Sequence, residues 1–181
     1  MRSTASHDTE RDSEHEATHA REFRMAREVL AWVCMFLSTT LRSGTVATCA
    51  TTAALLALGK RDSTSMWAPL DATSHILWGD RAYAADKLDV RHTLVGTILN
   101  AAAVISWAGV QELVLARRRT LPVALATGAA TAALAWVVDY YVVPERVTPG
   151  FQWKLPKRSL IATYLVLGAS LALGGYLAGR R

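Results

Sequence analysis

The chain has 181 residues, of which 51% are apolar and 19% charged, with a net charge of +5. The charges are segregated: they crowd into residues 1–28, 60–92, 117–119, 144–158 and the last two positions. The long stretches between are almost free of charge, which excludes an ordinary soluble domain. It also excludes a strand-built barrel, whose segments would alternate in hydropathy. Apolar runs of about 20 residues cross roughly 30 Å of hydrocarbon as helices, because every backbone N–H and C=O must be satisfied within the segment. The sequence therefore predicts an all-α membrane protein, a bundle of about four transmembrane helices.

Residues 1–28 mix acids, bases and three histidines ahead of any apolar run. This is not the short basic start of a secretory signal. It reads as a disordered, charged cytoplasmic tail, with the first span acting as an uncleaved insertion signal. Within it, His15-Glu16-Ala17-Thr18-His19 matches H-E-x-x-H, the spacing that sets two imidazoles on one helix face over a metal. The tail offers no apolar support, and Glu22 is the only close candidate for a third ligand, so adventitious binding by His15 and His19 is the most the motif implies.

The run from Val29 to Gly59 is too long for one span and is interrupted at Arg42-Ser43-Gly44. The sequence favours an interfacial helix over residues 29–41 and a span over 43–59, with Arg42 reaching the headgroups. The alternative is one long tilted helix. Cys34 and Cys49 are too far apart along a helix for a disulfide and read as small apolar residues.

The loop from Asp62 to His92 carries Pro69, Asp71 and Gly79, which suit the first turn, positive end and stop of a helix. A short interfacial helix over Pro69–Trp78 follows, placed in the first outer loop, with Asp71 and His75 on one face. The second span, 93–116, has a polar stripe: His92, Gly96, Asn100, Ala103, Trp107 and Gln111 recur at steps of three and four. An amide at mid-membrane faces the bundle, so Asn100 reads as glue between helices or as a cavity wall.

The third span, 121–143, holds Asp139 near its outer end. An ionisable residue at membrane depth is a functional candidate by default. His75, His92 and Asp139, with Asp71 and Asp80 near, form a candidate outer-face cluster able to hold a metal or relay protons; Arg146 is an alternative partner for Asp139. Glu112 reads as part of an ion pair at the inner end, near Arg117. The fourth span, 159–179, has Gly168, Ala172, Gly175 and Gly179 in a stripe that permits close helix approach, to a partner the sequence does not identify.

Arg117-Arg118-Arg119 in a short connection favours N-in/C-in topology. The basic balance then calls for no nucleic acid, since arginines fix topology and meet anionic headgroups. Ser74–Asp80 and Tyr140–Phe151 resemble segments of small uncharacterised inner-membrane proteins of proteobacteria, over about residues 40–180. The resemblance implies a bacterial inner-membrane address and no activity. Members of that group often carry a histidine in the middle of the second span, where this chain has Asn100.

No nucleotide-binding glycine motif and no nucleophile–base set is present, so no catalytic residue or cofactor is assigned. The reading is a non-enzymatic helix bundle binding a lipid, a partner membrane protein or a second copy. The alternatives are a small transporter or a metal- or proton-handling protein using the outer cluster, and a membrane enzyme acting through the tail motif or through that cluster on lipid.

Overall fold

The computed structural model describes the backbone of residues 4–115 and 118–180, and side chains from residue 19 onward within that range, Ala20 excepted. The described residues are helical, with no strand. The helices are α1 (Thr4–Asp62), α2 (Ala68–Thr73), α3 (His75–Trp78), α4 (Val95–Leu115), α5 (Leu121–Val137) and α6 (Lys157–Ala178). A π-helical turn, Val90–Leu94, leads into α4, and a second, Val138–Val142, closes α5. Four segments are long and apolar enough to cross a membrane: Arg21–Asp62, Val90–Leu115, Leu121–Val142 and Lys157–Ala178. The last three match the expected spans to within a few residues.

The chain divides into residues 1–37 and 38–181, and α1 contributes to both. In the first unit the backbone is helical from Thr4, where composition predicts a disordered tail. Its many Ala, Glu and Arg residues are strong helix formers. Phe23, Met25, Val29, Leu30 and Trp32 are exposed on this helix, and Trp32 stacks on Phe36 at 5.4 Å.

In the second unit the predicted break at Arg42-Ser43-Gly44 does not occur: α1 is helical through all three. The physical reason is packing. Ser43 is buried and its hydroxyl donates back to the Thr39 carbonyl at 3.0 Å. A Cβ on Gly44 would stand 3.0 Å from Ile105 Cγ1, so Ser-Gly is a surface for neighbouring helices rather than a stop signal. Arg42 points away and is exposed. Below this point Ala47, Thr51, Leu55 and Leu58 recur at steps of three and four and are buried.

The small-residue stripe of α6 finds its neighbours inside the chain. A Cβ on Gly168 would lie 3.1 Å from Ala132 Cβ of α5 and from the Gly128 carbonyl oxygen. One on Gly175 would lie 2.7 Å from Gln111 Nε2 of α4, and one on Gly174 2.7 Å from Ser43 Cα of α1. Helix α6 therefore touches all three other long helices, and 56% of its apolar core is buried against 22–28% for theirs.

Two polar clasps hold the bundle ends. At one end Asp62 accepts hydrogen bonds from Arg61, Arg158 and Ser159, joining the end of α1 to the start of α6. At the other, Glu112 of α4 pairs with Arg119 at 2.7 Å, with 0% and 20% of the two side chains exposed. Arg119 also donates to the Gly175 carbonyl at 3.1 Å. The expected partner, Arg117, lies outside the described residues.

Candidate functional site

The segment 68–78 is two helical turns broken at Ser74, not one helix. Pro69 sits in the first turn, Asp71 lies at that end, and Gly79 stops the segment at φ +68°, as the residue types predict. Every residue from Ala68 to His75 is buried. The segment forms a cap packed onto the start of α4, where Gly96 has no side chain to keep the Leu70 backbone away.

The loop 144–153 packs over the same cap. Arg146 donates to the carbonyls of Ile76 and Leu77, at 3.1 and 3.3 Å, so it caps the end of α3 and does not pair with Asp139. His75 is buried, with Nδ1 2.9 Å from the Ala72 oxygen and Nε2 3.2 Å from the Glu145 oxygen. Its ring stacks on Tyr83 at 5.1 Å. Gly150, at φ +85°, allows this approach: a Cβ would lie 2.9 Å from His75 Nδ1.

Of the five residues proposed as one outer cluster, Asp71 and His92 are linked through Thr93 and Asp89, while His75 and Asp139 engage other partners. His75 pins cap to loop. His92 donates its backbone N–H to Asp89 Oδ1 at 2.6 Å, and its Nδ1 lies 2.9 Å from Oδ2, which caps the entry to α4. The His92 backbone and ring N–H groups hold the Asp89 carboxyl below the ordinary range. Asp71 is 0% exposed and accepts from Thr93 Oγ1 at 2.6 Å, while its Oδ2 has no partner. Asp80 is exposed at the start of the turn Gly79–Ala84. Asp139 accepts from the Tyr164 hydroxyl at 2.5 Å. Among the described residues no three His, Cys, Asp or Glu side chains converge as metal ligands. His19 is exposed, with Nδ1 3.5 Å from Glu22, and the His15 side chain lies outside the described residues.

Burial raises the Asp71 carboxyl above its ordinary value of 3.8, against the opposing hydrogen bond from Thr93. The folded cap therefore holds this proton longer than the unfolded chain does. That contribution to stability is complete below pH 3.8 and is lost as pH rises through the raised value. The Asp71→Asn variant keeps an oxygen for Thr93 and cannot ionise. Its melting temperature in detergent should exceed that of the wild type by a few degrees at pH 7 and converge on it near pH 3.5. Equal gaps at both pH values would contradict this account.

Beneath the cap, a partly open cavity of about 90 Å³ lies between the helices. Asn100, Ala103 and Trp107 of α4 form one wall, so three members of the predicted polar stripe face it. Thr51 of α1 and Thr163 and Tyr164 of α6 form others, Asp139 lines it from the π-helical turn after α5, and Ile76, Pro149 and Phe151 roof it. Such turns interrupt helices most often at functional sites. Thr51 and Thr163 direct their hydroxyls back to carbonyls of their own helices. Asn100 is different: it is 7% exposed and its Nδ2 has no hydrogen-bond partner. Cross-helix glue is supplied by Gln111 instead, which donates to the Leu171 carbonyl at 2.7 Å.

Tyr164, Thr163, Thr51 and Phe151 were not singled out from the sequence. Tyr164 had a readable signal: a phenol inside an apolar span needs a hydrogen-bond partner. The two threonines carry none, since most such hydroxyls bond their own helix.

These features define a class: a four-helix bundle with a capped, partly polar cavity between its long helices. Neither a protein-family model, a curated protein nor a solved structure matches the chain.

Proposed function

We propose that this is a multi-pass protein of a bacterial inner membrane, with both termini cytoplasmic, whose bundle binds a small amphipathic molecule in the capped cavity. This narrows the sequence reading of a non-enzymatic bundle that binds lipid or a partner protein. The observation that carries it is the Asn100 side-chain nitrogen, buried at the cavity wall without a hydrogen-bond partner. A desolvated amide costs about 1–3 kcal/mol when unpaired, and natural proteins tolerate such costs where a site needs them. The reading of a metal- or proton-handling cluster has no comparable support, because His75, His92 and Asp139 each engage a different partner.

The test separates a binding site from structural glue by sign. With an empty cavity, Asn100→Leu should stabilise the protein in detergent by about 1 kcal/mol, since it removes an unpaired amide. The same variant should lose the thermal stabilisation that amphiphiles extracted from the host membrane confer on the wild type, an effect of mass action. If Asn100→Leu destabilises the protein and leaves that stabilisation intact, the amide is packing and the proposal is wrong.

A further inference from the structure

The cavity has one carboxylate, and its surroundings select for charge. Asp139 is half-buried and, among the described residues, no lysine or arginine pairs with it; its hydrogen bond comes from the Tyr164 hydroxyl. Arg146, the basic partner that the sequence offered, is committed to the carbonyls of α3. The other walls bring aromatic side chains: Trp107, Tyr164 and Phe151. Tyr164 is itself held by Trp136, at 5.1 Å in an edge-to-face contact, and by Tyr140 at 5.9 Å. An isolated carboxylate in an apolar setting is costly until it is paired. Aromatic faces attract cations through their quadrupoles, most strongly when water is excluded. The amide of Asn100 presents an oxygen or an N–H to the same space.

We infer that the cavity binds a small organic cation, an alkylammonium-type amine, with Asp139 as its counter-ion and Trp107, Tyr164 and Phe151 as its apolar and cation–π walls. The inference rests on the binding reading above and names its ligand class. A neutral amphiphile would fill the same space and leave the carboxylate unpaired, and an anion would be repelled. The space is about 90 Å³ and takes a compact head such as a primary amine.

The experiment is calorimetric titration of the full chain in detergent with n-butylammonium, 1-butanol and butyrate, protein-free micelles serving as blank. Wild type should bind butylammonium at least about tenfold more tightly than butanol, with no binding of butyrate. Asp139→Asn should abolish that preference, and Asp139→Glu should restore much of it. Trp107→Leu keeps the carboxylate and should reduce the preference by a few fold, a readout independent of whether Asp139→Asn folds. If butanol binds as tightly as butylammonium to wild type, the cavity reading stands and the cation inference is wrong. If none of the three probes binds, both are wrong.

Discussion

Replacing Gly96 with alanine is expected to destabilise the protein by more than about 3 kcal/mol, beyond the 1–3 kcal/mol usual for an overpacked site. In isolation the change favours the helix, since alanine exceeds glycine in helix propensity by about 1 kcal/mol. Tertiary structure reverses the sign. A Cβ at position 96 would overlap the Leu70 carbonyl oxygen and lie 2.8 Å from the Leu70 carbonyl carbon. Backbone cannot swing aside as a flexible side chain can. The cap would have to lift from α4, taking with it the hydrogen bond between Thr93 and Asp71. For a chain of this size the melting temperature should fall by roughly 6–12 °C. Amide exchange should rise first in residues 68–78, with the long helices still protected. A variant within 1 kcal/mol of wild type, with an unchanged cap, would show that Leu70 does not sit on Gly96.

The second large effect concerns the clasp at the other end. Arg119→Leu should cost about 3–5 kcal/mol, because it leaves the fully enclosed Glu112 carboxylate without its partner. Glu112→Leu should cost less. Arg119 is 20% exposed, so its guanidinium can turn to solvent or keep its bond to the Gly175 carbonyl. The double variant should recover most of the loss, since apolar replacement of a whole buried pair is often neutral. Denaturation of the four proteins as a double-mutant cycle measures this directly. Additive losses would mean that the two side chains do not interact in the folded protein.

Much of the site's framework was legible in residue order. The steps of three and four in α4 placed Asn100, Ala103, Trp107 and Gln111 on one face, and the cavity wall and the bond to Leu171 lie there. Pro69 and Gly79 marked the ends of the cap because their backbone restrictions are local. Asp139 stood out as an ionisable group within an apolar run. What each polar group would meet was not legible. The proposed grouping of His75, His92 and Asp139 inferred shared depth from position along the spans. Depth does not decide which way a side chain faces once two π-helical turns rotate the helix ends.

The same division holds for the fold. The sequence by itself determined the helical class and the extent of the last three long segments, because hydropathy, charge segregation and Pro/Gly punctuation act within a few turns of one helix. Tertiary structure alone decided that α1 continues through Arg42-Ser43-Gly44 and that the α6 stripe meets α1, α4 and α5 of the same chain. It alone decided that Arg146 caps α3 while Asp139 faces the cavity with Tyr164. Those outcomes depend on contacts between residues as far as 131 positions apart, Ser43 and Gly174. They are set by which surfaces fit together, and no local propensity encodes that.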